Sequence, residues 1–286
     1  MSILQTLNEA FWMLLDPWLF MSLSARHIPS TIAILISHQA FSTLFSPSGF
    51  SEALFGNFWA TFGPRVKENA EARVIPLLEG RVSHGMVHEE RVNLPVGGVV
   101  MEVGAGSGMW ADVFKKIDAD QGTISKIYGI EPNPQSYTAL RQRVKDIGLA
   151  DVYEVVPVGI EDITDKTAWD GNIEKGSVDC IVGILCLCSI PDQEENIRHL
   201  YELLKPGGRW YVYEHVKATR GGLFMRIYQR YVNIFWSFFL GSCRITRPTG
   251  EILKNIGPWS KIDLVQPVDQ PSPFQVLPHV IGVLTK

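Results

Sequence analysis

The strongest constraint on this chain is the segment Gly97-Gly98-Val99-Val100-Met101-Glu102-Val103-Gly104-Ala105-Gly106-Ser107-Gly108. A short apolar run leads into three glycines at alternate positions, and helical periodicity follows over residues 110–117. Glycine reaches backbone conformations closed to residues with a Cβ, and it lets a ligand approach the main chain. Strand, glycine turn and helix in that order predict the start of a βαβ unit built around a ligand-binding turn. The carboxylate of Glu102, two residues before the first glycine, selects the ligand chemistry. It would repel a phosphate and attract a cation.

The middle of the chain repeats the alternation. Ile124–Ile130 reads as a second strand ending at Glu131, and Pro132-Asn133-Pro134 turns the chain into a helix through Tyr137, Leu140 and Val144. Residues 153–158 read as a third strand and 178–187 as a fourth. A helix over 196–204 is closed by a Lys205-Pro206-Gly207-Gly208 turn, and 210–216 read as a fifth strand. Strands separated by helices predict an α/β fold, a doubly wound, Rossmann-like parallel sheet with ligands beyond the carboxyl ends of its strands. Glu131, ending the second strand, suits ribose hydroxyls. With Glu102 in place the expected ligand is S-adenosylmethionine rather than NAD, because it carries a sulfonium and an amino group and no phosphate.

Residues 95–216 resemble a class I S-adenosylmethionine-dependent methyltransferase, with the Lys205-Pro206-Gly207-Gly208 turn as a hallmark. More narrowly, residues 95–286 resemble the methyltransferase-like thiol S-methyltransferases of microsomes and lipid droplets. The matching pieces are Glu131-Pro132-Asn133-Pro134, Ser177-Val178-Asp179, Leu187-Cys188-Ser189, Pro206-Gly207-Gly208 and Glu214-His215-Val216. Gly241 with Cys243, Thr246-Arg247 and Pro278-His279-Val280 match as well. The resemblance implies methyl transfer to a small lipophilic acceptor, a thiol first, with S-adenosylhomocysteine as the product. O-methylation of an aromatic or polyketide-like metabolite stays open, as does a methyltransferase-like protein with a non-methylating activity. The resemblance also implies that Gly104, Ala105 and Gly106, in a turn completed by Gly108, pass under the methionine part of the cofactor. Glu102 would hold its amino group, and Glu131, with Pro132 beside it, the ribose. Ile160 and Glu161 would lie at the adenine, where Gly159 stands in place of a frequent Asp. Leu185, Cys186 and Leu187 would end the fourth strand beside the methyl group.

Methyl transfer is an in-line displacement, so alignment supplies most of the catalysis. A base is needed only when the acceptor is protonated at working pH. The candidates are His215 and Glu214 at the end of the fifth strand and His279 near the end of the sequence; His titrates near neutrality. The two histidines also read as hydrogen-bonded structural residues. Cys188 reads as a packed, inert thiol. The four cysteines, Cys180, Cys186, Cys188 and Cys243, make no CxxC pair, so no metal site is expected.

The front of the chain is nearly free of charge: residues 1–51 carry only Glu9, Asp16 and Arg26. One apolar run covers 10–23, interrupted by Asp16-Pro17, and another covers 28–50, clipped by Pro29 and Pro47. The expected organisation is an apolar helical extension over 1–62 and a methyltransferase domain over 63–286, with a lid inserted at about 217–250 around an aromatic helix. The extension lies in a membrane interface through residues 1–50, folds over the core as a cap, or spans a membrane; the residues leave all three open. The resemblance implies an intracellular place on the endoplasmic reticulum or lipid-droplet membrane, with a cytoplasmic protein as the alternative. A net charge of -4 and the lack of a basic groove argue against a nucleic-acid partner. The sequence does not specify an oligomeric state.

Overall fold

The computed structural model describes residues 3–270 and 272–286, so the first two residues of the expected extension lie outside the described residues. The apolar front folds into four helices: α1 (Ile3–Ala25), α2 (Ile28–Ser37), α3 (Phe41–Phe45) and α4 (Pro47–Leu78). Pro29 and Pro47 each open a helix, in the first turn, where a missing N–H costs nothing. Asp16-Pro17, expected to interrupt the first run, does not: α1 continues through Pro17, whose ring is buried. That burial offsets the lost backbone hydrogen bond. The second run is broken into three, because Gln39 takes a left-handed conformation (φ 55°) after α2 and Pro47 restarts the helix. Leu4–Ser37 is long and apolar enough to cross a membrane by length and composition, and a turn at Arg26 and His27 divides it.

The expected boundary after residue 62 falls inside α4, whose 32 residues run past it unbroken. A hairpin of β1 (Val82–Ser83) and β2 (Met86–Val87) follows. Then come β3 (Gly98–Val103), α5 (Ala111–Gln121), β4 (Ile124–Ile130), α6 (Pro134–Asp146), β5 (Tyr153–Val156) and a 3-10 turn at Ile160–Asp162. The chain continues through β6 (Val178–Ile184), α7 (Gln193–Leu203), β7 (Leu204–His215), α8 (Gly222–Phe239), α9 (Thr249–Asn255), β8 (Lys261–Val265) and β9 (His279–Thr285). The strand order is β5-β4-β3-β6-β7-β9-β8. The five expected strands are β3 to β7 and all run parallel; β9 is antiparallel to both β7 and β8. The order reverses between β3 and β6, where a sheet of this kind opens a crevice for its ligand. The segment Lys205-Pro206-Gly207-Gly208, expected as a turn, is drawn into β7, and Gly207 and Gly208 exchange backbone hydrogen bonds with Lys286.

One face of the sheet buries Leu77, Leu78, Phe114, Ile117 and Leu140, and the other Met101, Ile181, Leu200 and Trp210. A third cluster, with Phe58, Met225 and Trp236, joins the helical front to the carboxyl ends of β6 and β7. Polar side chains lock this junction. The Ser24 hydroxyl donates to the Phe239 carbonyl at 2.7 Å, Ser51 donates to that of Phe238 at 2.8 Å, and Trp18 Nε1 donates to the Tyr228 hydroxyl at 2.8 Å.

Candidate active site

Gly104, Gly106 and Gly108 follow β3 with φ of 68°, 56° and 83°. A side chain at Gly104 would meet Cys186, its Cβ only 2.6 Å from that of the cysteine, so the glycine turn and the turn after β6 touch across the switch point. A Cβ on Gly106 would meet nothing within 4 Å. Ala105 is buried and Gly108 packs against Leu140 and Arg143 of α6.

Two carboxylates flank this turn. Glu131, just after β4, accepts from Gly106 N and from Asn133 N, both at 2.9 Å. Burial raises its pKa, and the two amides oppose the rise. Pro132 beside it is exposed, and the Asn133 side chain caps α6 by accepting from Gln135 N. Glu102 is 2% exposed. One of its oxygens accepts from the Tyr153 hydroxyl, and the other, Oε1, is buried without a partner. Burial pushes this carboxyl up to about 7. Tyr153 was missed in the sequence, although a signal was present. A Cβ on Gly129, inside β4, would lie 2.4 Å from the Tyr153 hydroxyl, so the strand glycine makes room for the phenol.

Ile160 is buried in the 3-10 turn and Glu161 is exposed, its carboxylate folded back over Gly159. Leu185 has a φ of 54°, a conformation that costs a side-chain-bearing residue about 1–2 kcal/mol. Its N–H is held by the Tyr213 carbonyl at 2.8 Å. This turn ends β6 at Ile184, three residues before the strand end expected from the apolar run. Glu214 holds the same turn from β7: its Oε1 accepts from Cys186 N at 2.8 Å and Leu187 N at 2.9 Å. Burial raises the pKa of Glu214, against the two amides, and its Oε2 has no partner.

The catalytic candidates thus separate. Glu214 is occupied by backbone. His279 stacks on Tyr213 with ring centroids 4.9 Å apart, and burial keeps it neutral well below its usual range. His215 Nε2 lies 3.3 Å from Cys243 Sγ, and Cys243 Sγ lies 3.6 Å from Cys188 Sγ. The three residues are buried, and their ligand atoms lie within 4.8 Å of one another, an arrangement that could hold a metal ion. The expectation of no metal site considered only cysteines adjacent in sequence, whereas these residues come from three distant segments. The expected lid helix, α8, packs on α1 and α4. A cavity of about 330 Å³ at its start is lined by Lys217, Arg226, Arg230 and Glu251, and none of the expected site residues lines it.

A family model described as a methyltransferase domain matches residues 84–236, just over half of the chain. The thiol S-methyltransferase TMT1A of Homo sapiens is 31% identical over 115 residues, covering 40% of this chain and 46% of that protein. The match therefore spans less than half the length of that relative. Two solved structures share the fold. A Nostoc punctiforme protein assigned provisionally as an O-methyltransferase has a TM-score of 0.54 at 12% identity, over 82% of this chain and 60% of that one. A geranyl diphosphate methyltransferase in complex with its SAM ligand has a TM-score of 0.50 at 14% identity, over 86% of this chain and 94% of that one.

Proposed function

Because the chain belongs to the methyltransferase-domain family, we propose that it transfers a methyl group from S-adenosylmethionine to a small lipophilic acceptor, a thiol first. The observation that carries this reading is the pair of buried carboxylates flanking a glycine turn with open space at Gly106. The donor set suits the cofactor. Glu102 Oε1 is an unpaired buried oxygen that a cationic amino group would satisfy, and residues 102–108 carry no lysine or arginine for a phosphate.

S-adenosylmethionine supplies a methyl group already activated on a sulfonium. Gly104, Ala105 and Gly106 lie under its methionine part. Glu131 faces the ribose hydroxyls while keeping its two amide hydrogen bonds. Ile160 packs at the adenine, and the exposed Glu161 sits at its edge. Leu185 to Leu187 form the wall at the methyl group, and Glu214 acts as a positioning residue for that wall. A thiol acceptor ionises at pKa near 8.5 and needs little help from a base, in keeping with a neutral, stacked His279. The thiol is further supported by the name of the human relative. S-adenosylhomocysteine is the product.

The lipophilic acceptor reaches the site from a membrane surface. Trp18 of α1 packs on Tyr231 and Phe235 of α8, at 5.8 Å and 5.4 Å between ring centroids, so the two helices share one face. Phe11, Trp12, Phe224 and Ile234 extend that face and are each more than half exposed. An apolar face of this size beds in a lipid interface. In this arrangement residues 1–62 are a lipid-facing extension and α8 serves both as lid and as lipid contact.

The test is S-adenosylhomocysteine release by the full chain with lipophilic thiols, phenols and amines. Release in proportion to methylated thiol is expected. Release with a phenol alone would move the acceptor from sulfur to oxygen, and tight cofactor binding without release on any acceptor would overturn the transferase reading.

A further inference from the structure

Three side chains of metal-ligand type meet beneath α8 and have no part in the reaction as described so far. Cys188 follows β6, His215 closes β7 and Cys243 follows α8. All three are buried, the cysteines in an apolar cluster with Met225, Trp236 and Val276. Tetrahedral zinc, with Zn–S near 2.3 Å and Zn–N near 2.0–2.1 Å, sets S···S edges of about 3.8 Å and S···N edges of about 3.6 Å. The observed 3.6 Å between the sulfurs and 3.3 Å from Cys243 Sγ to His215 Nε2 fall within about 0.3 Å of those edges, and the third edge, from Cys188 to His215, lies within 4.8 Å and would close on a bound ion.

The geometry points to a Cys2His zinc site whose fourth position is open to a sulfur ligand. Two thiolates, one neutral imidazole and a divalent ion sum to zero charge. The complex therefore suits apolar surroundings that would penalise a lone thiolate. Thiolate and imidazole together select zinc over harder cations. The sulfurs also have outer partners of the kind that steady zinc thiolates. Trp236 Nε1 donates to Cys243 Sγ at 3.2 Å, and the Ser189 hydroxyl lies 3.5 Å from Cys188 Sγ. Among the described residues the group holds three ligand-type side chains, and three protein ligands with an open fourth position mark catalytic rather than structural zinc.

The fourth ligand rests on the thiol reading proposed above. The site lies at the carboxyl ends of β6 and β7, next to the Leu185 to Leu187 wall. On coordination the S–H bond of the acceptor breaks, its proton goes to solvent, and the sulfur lone pair forms a bond to zinc. The acceptor is thereby held as a thiolate at neutral pH; the complex, neutral without it, carries one negative charge until methylation turns the sulfur into a neutral thioether. No oxidant or reductant takes part.

The test uses the full chain purified from zinc-containing medium without chelator. Elemental analysis should find about one zinc per chain after dialysis. Exchange with cobalt should give a thiolate-to-cobalt absorption band and intense tetrahedral visible bands, and these need no variant. Cys188→Ser and Cys243→Ser, checked for folding by circular dichroism, should lose the metal, while Cys180→Ser keeps it. Adding a lipophilic thiol should shift the cobalt visible bands; unshifted bands would overturn the open fourth position. A chain that holds no zinc and takes up no cobalt would overturn the site. So would an intact mass showing a Cys188–Cys243 disulfide in the protein as purified. Zinc bound without S-adenosylhomocysteine release on any thiol would remove the thiol reading and keep the site. Full release from metal-free protein would overturn the role of zinc in holding the acceptor and keep the thiol reading.

Discussion

Glu131 and Glu214 stand at matching places, each at the carboxyl end of a parallel strand and each accepting two backbone amides. Their surroundings differ. Glu131 borders the open space at Gly106, in a half of the sheet where Glu102 also keeps an unpaired oxygen. Glu214 is fully buried, behind a turn that it holds itself, next to a thiol and imidazole group roofed by α8. On the proposed reading the same carboxylate–amide motif serves two ends: recognition of a polar ligand on the β3–β4–β5 half, and support of an apolar wall on the β6–β7 half.

The largest effect should come from filling the first half. Gly106→Val adds a Cβ that meets no protein atom within 4 Å, and at φ 56° the β-branched residue carries a strain of at least about 1–2 kcal/mol, so folding is checked by circular dichroism. Calorimetry should detect no cofactor binding, and retained binding would move the ligand away from the glycine turn. Next comes the comparison itself. Glu131→Gln removes a charged acceptor and should weaken cofactor affinity by about 1.5–3 kcal/mol, roughly ten- to a hundredfold. Glu214→Gln should leave cofactor affinity within about threefold and act on kcat through the turn. Equal losses of affinity in the two variants would erase the distinction between the halves.

On the face proposed to meet lipid, Phe224→Asp should lower vesicle binding in flotation assays by about tenfold or more, from the apolar burial forgone. It leaves cofactor binding in solution intact; unchanged flotation would return α1 and α8 to the cap reading. Point changes are the sharper tool here, because removing residues 1–50 would also strip α1 from the buried Phe58 and Trp236 cluster. The smallest effect is a pH dependence. Glu102 titrates at about 7 in the folded chain against an ordinary 4.5, so the folded state binds the extra proton between these values. Stability of the cofactor-free chain should therefore fall as pH rises from 4.5 to 7. Cofactor binding should move the opposite way, since the ionised form is the one that meets a cation. With that fraction near a tenth at pH 6, affinity should be about tenfold weaker at pH 6 than at pH 8. A flat affinity profile would detach Glu102 from the amino group.

The polar half was largely legible in the sequence because it is local. Gly104, Gly106 and Gly108 announce their left-handed backbone by residue type, and β4 ends where the apolar run does, at Ile130. The apolar half was not, because its structure is decided at long range. The apolar run past Ile184 looks like strand, and only Glu214, from a different strand, turns it. The meeting of Cys188, His215 and Cys243 depends on where α8 lies, which no local pattern states. β8 hid its register because Lys261, Ile262 and Val265 are exposed at a sheet edge. The Pro17 of α1 misled in the opposite sense, since tertiary burial overrode a local breaker.

α4 has one further consequence. Its 32 residues correspond to about 48 Å of helix. Leu54 and Phe58 are buried toward one end, and Val74, Leu77 and Leu78 in the sheet core at the other. Although Pro64 and Pro76 lie inside it, the helix stays continuous between the two buried ends and ties the sheet to the helical front. If α1 and α8 bed in a lipid surface as proposed, the sheet takes a single bearing toward it, and a molecule leaving the acyl layer would meet the Leu185 turn from one direction. On that proposal the surface would become part of the aiming apparatus, and its curvature a variable of turnover.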